Sequence, residues 1–347
     1  MNRRGWIIVG VSAALAVAAA TGLIWGQRLP PEPSFEGKPA TYWIDRILDG
    51  SMGDYSDTSV FRDMGMAAEP YVVAALRRRN GWRQSQGYAK LRAWLPRHLR
   101  AQLPGPRTLP PNDMRLPMQA AAALLQIGNC GRFLPSLAHD PNVLVRRTAF
   151  WLAGSGVWRG PLPAPMLFAG VKDSDAMVRQ LAVAGSRSLD DTVIPLLITA
   201  LDDNDGAGKG QRVPVRAEAA RELGLRGERA RAAVPKLEGL LQVRPRDTRM
   251  CALIALARID HRHDRLAALI NELDTLPPER LEIVSAIGVC GTAAAEAAPT
   301  LVKVWKAEAE AAGSSASDAS FARLVRRAVV EALKRIAPDV AAREGIQ

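Results

Sequence analysis

Between Arg77 and Arg107 the chain places nine Lys or Arg residues and no acid: Arg77, Arg78, Arg79, Arg83, Lys90, Arg92, Arg97, Arg100 and Arg107. Trp82, Tyr88 and Trp94 are interleaved with them, and Pro104, Pro106, Pro110 and Pro111 follow. Clustered cations neutralise phosphate, while aromatic rings beside them stack on bases or settle among lipid headgroups. Tyr88, Leu91, Leu95 and Leu99 recur at helical spacing, so the stretch reads as a basic amphipathic helix. Its contact residues are then Arg77, Arg78, Arg79, Trp82, Arg83, Lys90, Arg92, Trp94, Arg97 and Arg100, offered to a protein partner or to anionic lipid. The competing reading is a solvated insertion, 77–114, whose Trp and Leu residues dock on neighbouring helices. The net charge of the whole chain is +11, so this one stretch carries most of the imbalance.

No other pattern reaches the threshold of a catalytic, cofactor or metal site. His261-Arg262-His263-Asp264 holds two histidines two residues apart, which point to different sides of a helix. A turn between helices is the expected home of this group. The run from Asp202 to Gly210 lacks the glutamate that closes a calcium loop. Its Gly-Lys also lacks the preceding gap and the following Ser or Thr of a phosphate loop, which leaves a surface insertion. Cys130, Cys251 and Cys290 are too few for a disulfide framework. A Cys251–Cys290 bridge between adjacent units is one option, and small buried thiols at helix ends are the other.

The elements that must position these residues are helices. Alternating Val, Ile and Thr runs are missing, so the class is all-α. Val145-Arg146 recurs as Val178-Arg179 and Val215-Arg216, then as Thr248-Arg249 and Val325-Arg326. A recurrence of 33 residues from 145 to 178 and again from 215 to 248 signals stacked supersecondary units. One helix of each unit begins at a small-residue turn with proline, as in Gly131 through Pro135, Gly227 through Pro235 and Gly291 through Pro299. Proline suits a first helical turn, where its missing N–H would be unpaired anyway. The other helix follows an acidic turn, Asp140-Pro-Asn or Asp173-Ser-Asp, because Asp caps a helix start and favours its positive end.

With proline-bearing first helices, acidic turns, Val-Arg, alanine-rich second helices and a closing Leu-Gly or Ile-Gly, the chain resembles the HEAT-repeat family. Its opening, Gly37-Lys38 leading to Tyr42-Trp43, also looks like that of bacterial membrane-anchored or exported members. The resemblance covers about seven pairs between 59 and 338 and implies an α–α superhelix over 42–341. It also implies a polar ladder running from repeat to repeat, with Asp140 beside Arg146 and Asp173 beside Arg179, continued by Arg216, Arg249 and Arg326. The register weakens near Arg280. Tyr42, Trp43, Ile47 and Leu48 are expected to cap the open end, since a terminal repeat has no neighbour for one apolar face.

Arg3 and Arg4 precede an uncharged run, residues 6–25, bounded by Trp6 and Trp25. Such a run is long enough to cross a bilayer, with aromatic rings at both interfaces. The reading is a cytoplasmic tail (1–5), a transmembrane signal anchor (6–25), a Pro-rich linker (26–41) and an exported, periplasmic solenoid. A signal peptide cleaved near Ala18-Ala19-Ala20 is the alternative, and it also exports the bulk of the chain. Export disfavours nucleic acid as a partner. The expected function is a non-enzymatic protein–protein scaffold held at a membrane, without cofactor or metal. The alternatives are a lyase-type enzyme on HEAT-like repeats, or a lipid or nucleic-acid binder acting through 77–107.

Overall fold

The computed structural model describes residues 29–48, 58–79, 94–96, 114–128, 133–154, 164–204, 214–273, 279–311 and 316–346. The apolar run 6–25 lies outside them, as do Trp82, Arg83, Lys90, Arg92, Arg97, Arg100 and Cys130 and the Arg79 side chain. Among the described residues no helix is long and apolar enough to cross a membrane.

The described residues are mostly helical, as the missing strand signals imply, with one small exception. Two short strands, β1 (Ser34–Phe35) and β2 (Lys38–Pro39), pair antiparallel with Ser34 opposite Pro39. Glu36 and Gly37 turn between them at φ 50° and 72°, the doubly left-handed turn that matches strand twist. The Pro-rich linker is therefore anchored from Pro30 onward. Thr41 N–H donates to Glu32 Oε1 at 2.7 Å, Ala40 N–H donates to the Pro33 carbonyl at 2.9 Å, and Tyr71 Oη–H donates to the Pro30 carbonyl.

Helix α1 (Ala40–Leu48) then packs on α3 (Glu69–Arg79) and α4 (Arg115–Ile127). It closes the end of the core with Ala40, Ile44, Ile47 and Leu48. Trp43 is half-buried beside Phe35, whereas Tyr42 is mostly outside the cap, its ring edge-on to Trp43 at 5.2 Å. The short α2 (Val60–Met64) leads into α3 through a 3-10 turn at Gly65.

From α4 onward the helices alternate between two rows. One row contains α4, α6 (Val143–Gly154), α8 (Ala176–Gly185), α10 (Val215–Arg226), α12 (Arg246–Asp260), α14 (Arg280–Val289) and α16 (Ala316–Ile336). Each of these lies against the next in chain order. The other row contains α5 (Leu134–Ala138), α7 (Ala164–Gly170), α9 (Ile194–Ala200), α11 (Val234–Leu240), α13 (His263–Leu273) and α15 (Ala298–Ala311), each against the first-row helix that follows it. The closing α17 (Pro338–Arg343) covers the end of α16.

Local chemistry explains the alternation. Pro135, Pro195 and Pro235 occupy the first turns of α5, α9 and α11. Gly227 and Gly291, at φ 58° and 59°, end α10 and α14 sharply and start the turns into α11 and α15. The caps of α6 and α8 are the last residues of the expected turns, Asn142 and Asp175. Asn142 Oδ1 accepts from Leu144 N–H at 2.9 Å, and Asp175 Oδ1 accepts from Val178 N–H at 3.1 Å. Asp140 and Asp173 instead accept the backbone N–H of Asn142 and Asp175, each at 2.8 Å, and hold the turn that precedes the cap.

First-row helices are packed on two sides, so their apolar residues form no single stripe. On α10, Ala217, Ala219, Ala220 and Leu223 are all fully buried. On α12, Met250, Ile254 and Ala257 belong to the C-terminal core, and Cys251, Ala252, Ala255 and Ile259 to the N-terminal one. Small residues let neighbouring first-row helices approach. A Cβ on Gly224 would stand 2.8 Å from Ala255 Cα, and one on Gly288 would stand 3.1 Å from Ala332 Cα. Leu223-Gly224 and Ile287-Gly288 thus mark where one helix touches the next.

Cys251 and Cys290 are both free and buried, which answers the disulfide option in favour of small buried thiols. Burial pushes the Cys251 thiol up to about 12 and the Cys290 thiol up to about 11. Neither is expected to take up iodoacetamide at about pH 8 while the protein is folded, and both should in urea. Peptide-level mass spectrometry would read this directly, and rapid labelling of either in the native protein would contradict the burial.

Candidate interaction surface

The turns that join the two rows carry a continuous run of arginine–aspartate contacts. Arg77 Nε donates to Asp140 Oδ2 at 3.0 Å. Arg146 grips Asp173 with two bonds, Nε to Oδ2 at 2.7 Å and Nη2 to Oδ1 at 3.0 Å, while its Nη1 donates to the Asp140 carbonyl at 2.9 Å. Arg179 repeats the arrangement one unit on, reaching Asp203 at 2.6 and 3.2 Å and the Asp173 carbonyl at 2.8 Å. Each arginine therefore holds the backbone of its own turn and the carboxylate of the next one. Arg146 and Arg179 meet Asp140 and Asp173 through the backbone carbonyl, and the carboxylate contact runs on to the next turn. Two-bond Arg–carboxylate contacts are the strong kind, and these side chains are only 9–14% exposed.

The later ladder positions differ. Arg216 donates to Asn204 Oδ1 at 3.1 Å. Arg249 donates to the carbonyls of Val243 and Arg244 at 2.8 and 2.5 Å. Arg326 is not on the ladder: its guanidinium lies 4.4 Å over the Trp305 ring, a cation–π contact on α16 and α15. A second, parallel rung went unread in the sequence. Arg147, only 3% exposed, takes Asp175 at 2.9 and 2.7 Å. The signal was the doubled Arg146-Arg147 followed, 27 and 28 residues on, by Asp173 and Asp175.

A second polar group lies along α10, α12 and α14. Arg187, in the turn after α8, reaches Glu222 Oε1 at 2.5 Å, and the Glu222 side chain is fully buried. Arg221 bridges Glu218 at 2.9 Å and Glu282 at 3.2 Å, and Arg258 Nη2 donates to Ser285 Oγ at 3.1 Å. Leu225 and Val289 stand exposed at the C-terminal ends of α10 and α14. The arrangement offers alternating charge with apolar points across consecutive helices.

Burial raises the Glu222 carboxyl above its ordinary 4.5, with Arg187 opposing, and burial likewise raises Glu218 against Arg221. For Glu222 the native state holds the proton more tightly than the unfolded chain. Its ionisation therefore costs stability above the raised value, and that cost disappears as pH falls to 4.5. Glu222→Gln removes the cost. The stability difference, variant minus parent, should be largest near about pH 7 and shrink toward about pH 5. Urea melts at the two pH values check the sign, and a difference that grows on acidification would contradict it.

Of the basic stretch, Arg77 serves the ladder and Arg78 is exposed at the end of α3. Trp94 is 81% exposed. His261 ends α12 in a left-handed conformation at φ 53°, and His263 begins α13 with Nδ1 3.2 Å from Glu296 Oε1, so this group is a helix–helix turn as expected. Asp202, Asp203 and Asn204 are described, while 205–213 of that insertion are not. Among the described residues no group of His, Cys, Asp and Glu could hold a metal ion. No protein-family model matches the chain, and no curated protein matches it.

Proposed function

We propose that the chain is a HEAT-type α-solenoid that acts as a non-enzymatic protein–protein scaffold, tethered by residues 6–25 with its bulk exported. The observation that carries the reading is the ordered first row, in which each helix lies against the next. Arg187, Arg221 and Glu282 carry charged contacts from the turn after α8 through α10 to α14. Stacked units of this kind stiffen an extended surface that recognises a partner by shape and charge. A second reading, contact of 77–107 with anionic lipid, is favoured by Trp94 standing exposed within the basic stretch.

The test is in-cell cross-linking of the full-length protein beside an Arg221→Glu/Glu282→Lys variant. One envelope protein captured by the parent and lost from the variant is the expected result. Capture of nothing specific by either would overturn the scaffold. Equal capture by both would move the binding face elsewhere. Sedimentation with phosphatidylglycerol vesicles against phosphatidylcholine vesicles tests the lipid reading separately.

A further inference from the structure

The ladder stops one rung early, and a cavity lies where it stops. Three residues beyond α7, α9 and α11 stand Asp173, Asp203 and Val243. The backbone is the same at all three: their N–H groups donate to the carbonyls of Gly170, Ala200 and Leu240 at 3.1, 3.2 and 3.3 Å. Arg146 Nε closes on the first acid at 2.7 Å, and Arg179 Nε on the second at 2.6 Å. Arg216 is next in the series, and the corresponding position holds Val243, which has no side-chain oxygen. The Arg216 Nε–H is buried and without a partner, in a residue only 8% exposed.

Beside it Leu201, Asp202, Asn204, Arg216, Lys236 and Leu240 line a cavity of about 280 Å³. Lys236 Nζ is held by Asp202 at 2.5 Å, so the lining carries one net positive charge. We propose that this cavity binds a carboxylate on an Asp or Glu side chain of a partner polypeptide through Arg216, the residue whose counterparts Arg146 and Arg179 hold Asp173 and Asp203. A single charge matches the lining, and Asp202 repels a dianion such as phosphate. The guanidinium fork fits a planar carboxylate with two bonds, as the two filled rungs do. The identification of the carrier as a polypeptide rests on the scaffold reading.

The test titrates the full-length protein with N-acetyl-aspartate N-methylamide and follows the Arg216 Nε–H signal by ¹⁵N NMR, assigned through Arg216→Lys. The signal should move and saturate, and the asparagine analogue should bind about tenfold more weakly or worse. Val243→Asp, at a half-buried position, supplies the acid from within the chain. It should move the signal without added probe and abolish the titration, and it assigns the signal if Arg216→Lys does not fold.

No shift, an equal response to the asparagine analogue or to inorganic phosphate, or undiminished binding by Val243→Asp would overturn the site. Acetate binding as tightly as the blocked aspartate would assign it to free acids and overturn the polypeptide source. The titration needs no partner, so its failure leaves partner capture untouched. Failed capture with the titration intact would sink only the scaffold.

Discussion

Gly224→Val should cost about 3 kcal/mol of stability in urea denaturation followed by circular dichroism. An ideal Cβ at Gly224 stands 2.8 Å from Ala255 Cα and 3.1 Å from Ala255 Cβ. Carbon atoms rest at roughly 3.5–4.0 Å, so the conflict is with backbone that no rotamer change relieves. Valine adds two γ-carbons with one preferred rotamer in a helix, which forces α10 and α12 apart. The gain in helix propensity over glycine, under about 1 kcal/mol, is too small to offset this. Leu225→Val, one residue on and exposed, is the control and should stay within about 0.5 kcal/mol. A loss below about 1 kcal/mol at Gly224 would mean that the two helices part easily at this point.

Asp173→Ala should be of similar size, about 3 kcal/mol, because it strands a largely buried guanidinium. Asp173 accepts two bonds from Arg146 and the N–H of Asp175, and its side chain is 12% exposed against 14% for Arg146. Breaking one partner of such a pair leaves the other charge without compensation. Asp173→Asn keeps an acceptor for the turn but loses the charge and should fall between. Asp202→Ala touches an exposed pair with Lys236, at 65% and 40%, and should cost well under about 1 kcal/mol. The order Asp173→Ala, Asp173→Asn, Asp202→Ala, read from urea midpoints, is the check. Similar values for all three would show that burial does not set the strength of these contacts.

Much of the helix punctuation was legible from residues alone. Pro135, Pro235 and Pro299 announce first turns, and Gly227 and Gly291 announce sharp helix ends, because each acts through its own backbone. The register near Arg280 was faint for a physical reason. On α14, Ile283, Val284, Ala286 and Ile287 are all fully buried and the exposed Val289 is itself apolar, so little polar contrast makes a period visible. The short hairpin at Ser34–Pro39 was missed because Glu36-Gly37 is a weaker turn signal than Asn-Gly, and its strands are only two residues long.

The sequence by itself determined the helical class, the sites of helix start and stop, and the recurrence of arginine beside the turns. Only the tertiary structure decided which acid each arginine meets. Arg146 and Asp173 are 27 residues apart, and their pairing depends on how far one turn stands from the next once helices pack across glycine and alanine. The same spacing decides that Val243 stands where an acid would complete Arg216, which no local pattern around Val243 reveals. Short-range preferences are written residue by residue, whereas the meeting of distant side chains is set by the packing distance between helices.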